Sequence, residues 1–335
     1  MVGISKLYCG TVEASDRLRY RAGAHRRPVV VWNCTPACNL ACSHCYAATS
    51  GRQNVLTTGQ ALAVIDDLAA FGVPVLLFSG GEPFARPDIR TLAAHAKERG
   101  LRVTFSTNGT LIDDGWADWI RDLGVAYVGI SIDGTEAIHD AFRRHPGAYR
   151  LSLDAIRRLR DRGVKVGLRV TMTRDNVRAI PAIFELMRAE RVPRICLYHL
   201  VYTGRGQEIA ATDLDHAEAR AALETIVAET KACFEAGFPV EVLTVDNPCD
   251  GIALYLKMKA ETIPTPLPRS TCSRSTAATR RDRESAASRG TARSTPISSG
   301  ATILSATCWR RRSPGSGGTR RPDRSSTCSA ARRSS

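Results

Sequence analysis

The chain reads as an α/β protein built on a parallel sheet, either an open doubly wound sheet or a partial (β/α) barrel. Three observations carry that expectation. Apolar, β-branched runs of strand length recur at 29–32, 73–78, 102–105, 126–132, 164–172 and 194–201. Helical stretches such as 58–71, 88–99 and 148–162 lie between them. The runs are apolar on both faces, as a sheet covered by helices requires. Such alternation implies right-handed crossovers and puts the chemistry at the C-terminal ends of the strands.

Taken in order, residues 1–27 form a mixed, polar N-terminal segment without a clear period. The core, 28–212, starts with the strand after Pro28. Pro87 followed by Asp88 is the expected start of the helix over 88–99, and Gly100 and Gly163 close two helices. A segment over 213–261 follows, with a long helix at 213–237 and a strand at 240–245. The texture then changes over 262–335. Of the 70 residues from Pro266 on, 40 are Arg, Ser or Thr, and only four are Leu or Ile. That composition buries too little apolar area to offset chain entropy, so a disordered tail is expected.

The tail also explains the charge. The chain carries a net +14, but 15 Arg against three acids fall after Pro266, which leaves the folded part close to neutral. Gripping phosphate needs the charge on a folded surface, so no nucleic-acid partner is expected. The longest apolar run, 73–78, is far short of the ~20 residues of a spanning helix, and no signal segment opens the chain. No membrane association and a cytoplasmic location follow by default.

Three of the 11 cysteines fall within eight residues, in Cys38-Asn-Leu-Ala-Cys42-Ser-His-Cys45, directly after the first strand. Spaced by three and then two residues, three thiolates can wrap one iron–sulfur cube and ligate three of its irons. The fourth iron is left for an exogenous chelator. S-adenosylmethionine (SAM) can bind it through its amino and carboxylate groups, and one electron from the reduced cluster then splits a carbon–sulfur bond. A structural zinc site would show a fourth Cys or His at short spacing, for which Cys34 and His44 are available. Cys34 otherwise reads as a small buried residue, as do the isolated Cys9, Cys196, Cys233 and Cys249.

The second strand ends in Ser79-Gly80-Gly81-Glu82-Pro83, where two glycines let the backbone approach a ligand and Glu82 offers an acceptor to a cationic amino group. The third ends in Ser106-Thr107-Asn108-Gly109 and the fourth in Ser131-Ile132-Asp133-Gly134. Short polar side chains at consecutive strand ends suit a small polar ligand. Each taken singly is equally a turn or capping residue.

Together these residues resemble the radical SAM superfamily, and more narrowly its subgroup with a C-terminal cluster-binding extension. The resemblance implies a partial (β/α)₆ TIM-like barrel with a [4Fe–4S] cluster on Cys38, Cys42 and Cys45. It places His44 near the adenine of SAM. Gly80, Gly81, Glu82 and Pro83 lie at the SAM amino group, and Ser131 at its polar groups. Arg143, after His139-Asp140, matches the partner of the SAM carboxylate. Ser106, Asn108 and Asp133 complete the expected cofactor-binding set. No residue is assigned to substrate chemistry; His199 and Tyr202 sit near the sixth strand's end and are equally structural.

Further segments (3–8, 28–33, 65–72, 198–202, 244–247 and 250–251) are similar to enzymes that remodel siroheme-derived tetrapyrroles. Within that group the likeness is to 12,18-didecarboxysiroheme deacetylases, then to the haem d1 side-chain enzymes. The implied activity is a 5′-deoxyadenosyl radical acting on carboxylate side chains of a macrocycle, with an electron donor such as ferredoxin or flavodoxin. The alternatives are a peptide-modifying member of the superfamily, a non-catalytic iron–sulfur or zinc protein, and an inactive truncated product.

Two departures stand out. The segment over 20–28 is shorter than in those relatives, and the extension with its own cysteines is missing; Cys272, Cys308 and Cys328 are too scattered to replace it. Regrouping permitted codons over 277–300 by one frame yields the strings G-N, G-C-V-S-W-D-G and E-V-H-A-D-Q-F-W, which resemble that extension. A frameshifted C-terminus is therefore expected.

Overall fold

The structure, a computed structural model, describes residues 1–10, 27–48, 55–263, 295–296 and 301–304. The chain enters through β1 (Val2–Gly3) and α1 (Ile4–Cys9). Seven parallel strands then follow in chain order, each bonded to the next: β2 (Val29–Thr35), β3 (Val75–Gly80), β4 (Arg102–Thr107), β5 (Tyr127–Ser131), β6 (Val166–Met172), β7 (Arg194–His199) and β8 (Glu241–Val245). β1 closes one edge, antiparallel to β8. Of the two architectures left open by periodicity, the partial barrel is the one formed: the sheet curls into a half-barrel with helices outside.

The crossovers are α2 (Thr58–Phe71), α3 (Ile89–Glu98), α4 (Asp114–Leu123), α5 (Glu136–Arg143), α6 (Ala148–Asp161), α7 (Ile180–Ala189) and α8 (His216–Glu235), with α9 (Cys249–Ala260) last. Local chemistry sets their ends. Thr57 and Gln60 form a reciprocal capping box at α2, as Asp215 and Glu218 do at α8. Gly100 and Gly163 take the left-handed conformation that ends α3 and α6. Asp88 precedes α3 without capping it: its carboxylate holds Arg86 at 2.6 Å and Thr58 at 2.7 Å instead.

The two faces of the sheet differ, which refines the expectation of strands apolar on both. Trp32, Phe78, Phe105, Ile130, Leu168 and Leu197 are buried against the helices in the main core, where Phe78 stacks on Phe105 at 5.5 Å. The alternate positions face the lumen and include Asn33, Ser79, Ser131, Arg169 and Tyr198. A small apolar cluster of Cys196, Leu243 and Val245 with Tyr198 sits on that side.

Most of the tail lies outside the described residues. Within it, β9 (Thr295–Pro296) pairs with β10 (Ala301–Leu304), and β10 runs parallel to β2. The 20–28 segment likewise falls almost wholly outside them. No helix of the described residues is long and apolar enough to cross a membrane.

Candidate active site

The cysteine loop leaves β2 at Thr35 and is held by three later segments. From the end of β3, the Gly81 and Glu82 N–H groups donate to the Thr35 and Ala37 carbonyls, both at 2.7 Å. From α5, the Phe142 carbonyl accepts from the Ser43 N–H at 3.0 Å and its hydroxyl at 3.1 Å. Beyond β7, the Arg205 side chain donates to the Cys42 carbonyl at 2.7 Å, and its N–H to the Cys45 carbonyl at 3.0 Å.

Glycines make the approaches possible. A Cβ on Gly81 would lie 2.2 Å from the Ala37 carbonyl oxygen, and one on Gly80 would lie 2.5 Å from that of Thr35. The close contact of these two glycines within the protein is with the cysteine loop. Gly204 does the same from the other side, with a Cβ position 2.5 Å from the Cys45 carbonyl oxygen.

Cys38 is exposed, Cys45 half-buried and Cys42 buried. N–H donors already point at two of the sulfurs. The Leu40 N–H lies 3.4 Å from Cys38 Sγ and Asn108 Nδ2 lies 3.9 Å from it, while an Arg143 nitrogen is 3.7 Å from Cys42 Sγ. Such donors stabilise thiolate and tune iron–sulfur clusters. Desolvation pushes the Cys38 thiol up to about 11, a shift that a metal overrides because a coordinating thiol is deprotonated outright. Three thiols on one loop, with N–H donors at two of their sulfurs, fit an iron–sulfur cluster. Among the described residues, no three His, Cys, Asp or Glu side chains converge on one metal ion.

Around the loop the strand ends form two linked groups. In the first, Glu82 is wholly buried. Its carboxylate accepts from the Thr107 hydroxyl at 2.8 Å, the Asn108 N–H at 2.9 Å and the Phe84 N–H at 3.2 Å. Burial pushes it up to about 7 against those three bonds. A carboxylate has room for about four donors, so one position is left for an incoming group. Pro83 starts the 3₁₀ turn that Glu82 caps, and the Asn108 amide ties Cys38 to Asn39 at 3.0 Å.

In the second group, Arg143 pairs with Asp133 at 2.6 Å and reaches Cys42. Burial works against its charge, but Asp133 and Cys42 hold it protonated. Asp133 also accepts from the Thr171 N–H at 3.2 Å, and its own N–H donates to His139 Nδ1 at 3.1 Å. Burial lowers His139 to about 3, so it is neutral. His44 stacks on Phe142 with centroids 4.3 Å apart. Burial holds His44 well below its usual range, and its buried Nδ1 has no hydrogen-bond partner among the described residues.

Ser106 and Ser131 are half-buried near the ends of β4 and β5. Cys34 is buried, with its thiol 3.3 Å from the Ser79 carbonyl, which matches its reading as a packing residue. His199 bonds Asp250 at 3.0 Å, and exposed Tyr202 bonds Asp213. Sequence reasoning missed Gly204 and Arg205. Their one local signal is the Gly-Arg-Gly run at 204–206, which by itself reads as a turn.

Residues 32–187, which contain this loop and both groups, match the family model described as the radical SAM superfamily. The chain is 50% identical over 275 residues to Fe-coproporphyrin III synthase of Methanosarcina barkeri, covering 78% of this chain and 69% of that protein. It is 41% identical over 229 residues to pre-heme d1 synthase of Dinoroseobacter shibae, covering 68% of this chain and 57% of that one. The structure of native anSMEcpe with bound AdoMet superposes with a TM-score of 0.55 at 17% identity, covering 64% of this chain and 63% of the other; it shares the half-barrel fold. With the cysteine loop, the strand-end groups and this likeness in agreement, the chain belongs to the radical SAM superfamily, enzymes whose cofactors are a [4Fe–4S] cluster and SAM.

Proposed function

We propose that the chain acts on carboxylate side chains of a siroheme-derived tetrapyrrole, with 12,18-didecarboxysiroheme as substrate and loss of its acetate groups as the outcome. The observation that carries this reading is the 50% identity to a relative named for Fe-coproporphyrin III synthesis, supported by 41% to one named for pre-heme d1. In this reading Cys38, Cys42 and Cys45 hold the cluster. Glu82 takes the SAM amino group at its remaining acceptor position, beside Gly80, Gly81 and Pro83. Arg143 and Ser131 face the SAM carboxylate and polar groups, His44 lies by the adenine, and Ser106, Asn108 and Asp133 complete the pocket. The bound cluster and SAM supply a 5′-deoxyadenosyl radical, able to take a hydrogen atom from an acetate side chain. The protein's part is to position, to exclude water and to keep His44 and His139 neutral beside the cationic Arg143.

The test is anaerobic incubation with a chemical reductant, SAM and 12,18-didecarboxysiroheme, with products read by mass spectrometry. The reading expects a lighter macrocycle lacking acetate together with 5′-deoxyadenosine. Steady formation of 5′-deoxyadenosine with the macrocycle untouched would count against it. A peptide substrate would then be the better reading, and a leader-peptide gene beside this one would favour it.

A further inference from the structure

The half-barrel lumen contains a cation that none of the roles above uses. Arg169 sits on β6, level in the sheet with Ser131 of β5 and Cys196 of β7, so it lies just below the strand ends that carry the site. Its stem crosses Gly129 on the neighbouring strand, where a Cβ would lie 2.9 Å from Cδ. Its guanidinium stacks on Tyr198, 4.9 Å from the ring centroid, and donates to the Tyr198 hydroxyl. The groups that act most strongly on its charge are Tyr198, Cys196, Tyr127 and Tyr46. Tyr46 immediately follows Cys45, which places the guanidinium beside the cysteine loop.

None of those four groups is a carboxylate; the acid that acts on two of them, Tyr198 and Tyr46, is Asp246, just past β8. The contrast with Arg194, two positions nearer the start of β7 than Cys196, is direct. Arg194 also stacks on a tyrosine, at 4.7 Å over Tyr127, but it pairs with Glu241 at 3.3 Å. A charge withdrawn from water without a counter-charge is costly and is normally paired. Arg169 as a whole residue is half-buried. An arginine fork offers a carboxylate two parallel bonds, and the stacked tyrosine keeps the fork from swinging away.

The geometry points to Arg169 as the anchor for one carboxylate of the substrate, holding a side chain of the macrocycle next to the cofactor site. This rests on the tetrapyrrole reading given above. The gap at Gly129 and the ring of Tyr198 fix the anchor's direction, so it sets which side chain faces the radical rather than merely adding affinity.

The test compares two probes on the full chain by fluorescence quenching: coproporphyrin III, a tetra-acid, and its tetramethyl ester, which has the same ring without the charges. The wild type should bind the acid about tenfold or more tightly than the ester. Arg169→Gln should weaken the acid alone and bring the two together, while ester binding, kept at the wild-type level, shows that the variant is folded. Arg169→Lys should retain part of the preference. Undiminished preference in Arg169→Gln overturns the assignment. A loss of SAM affinity with the acid preference intact also overturns it, because the residue would then serve the cofactor. Equal binding of acid and ester by the wild type removes the anchor but leaves the tetrapyrrole reading standing. Failure of the wild type to bind either probe removes both.

Discussion

Single positions around the cysteine loop are decided by backbone contact distances. Gly81 lies against Ala37, where a Cβ would come within 2.2 Å of the carbonyl oxygen and 2.7 Å of the carbonyl carbon. Neither atom can swing aside as a flexible side chain would. Gly81→Ala should therefore cost about 3 kcal/mol or more of stability and shift the loop that carries Cys38. Gly59, in the first turn of α2, has nothing within 4 Å of a Cβ position. Gly59→Ala should be neutral or stabilise by about 0.5–1 kcal/mol. Chemical denaturation of both variants checks the pair; equal effects would show that the approach to the Ala37 carbonyl is not the cause. These positions also mark what is legible in the sequence. The Gly-Gly-Glu run can be read as a strand-end turn from its own residues, but its partner is a carbonyl more than 40 residues away. Arg169 is hidden for the opposite reason: β6 is otherwise Val, Gly, Leu, Val, Thr and Met, and the arginine gains its meaning only when the strand curls around a lumen.

Between elements, helices outside the barrel are tied by charge as well as by apolar packing. Glu190, just past α7, accepts from Arg157 of α6 at 2.6 Å and from Arg160 of α6 at 2.7 Å. The Arg157 hydrogen bond, with help from Arg160, holds the Glu190 carboxyl below its usual value. A lowered folded-state pKa stabilises above the unfolded value and is lost as pH falls through the folded one. Glu190→Gln should thus lower stability by about 1–2 kcal/mol at pH 7, with the gap to wild type closing below about pH 4. Urea titrations at the two pH values measure it, and a gap that persists in acid would mean that packing, not charge, carries the loss. Helices and parallel strands are legible from period and capping residues: the helix expected over 58–71 coincides with α2, which has a capping box at its start and Gly72 at its end. The β1–β8 pairing is not legible, because two residues at the start of a chain carry no period.

Over the whole molecule, the half-barrel brings together parts that are far apart in sequence. The loop after β2 is gripped from β3, α5 and the Gly204–Gln207 turn beyond β7, so this grip on the cysteine loop exists only when the curl is complete. Cysteine spacing identifies the family without any of this, because a cube's ligands lie on one local loop. The residues that position that loop come from three crossovers and are visible only in the fold. The claim on which everything else depends is that these three thiols hold the cluster. The most direct measurement is anaerobic reconstitution of wild type and of the Cys38→Ala, Cys42→Ala, Cys45→Ala triple variant, with iron and sulfide counted and the electron paramagnetic resonance of the reduced protein recorded with and without SAM. Wild type should bind a cube of about four irons and four sulfides whose signal changes when SAM is added, and the triple variant should hold none. An undiminished cluster signal in the triple variant would contradict the account.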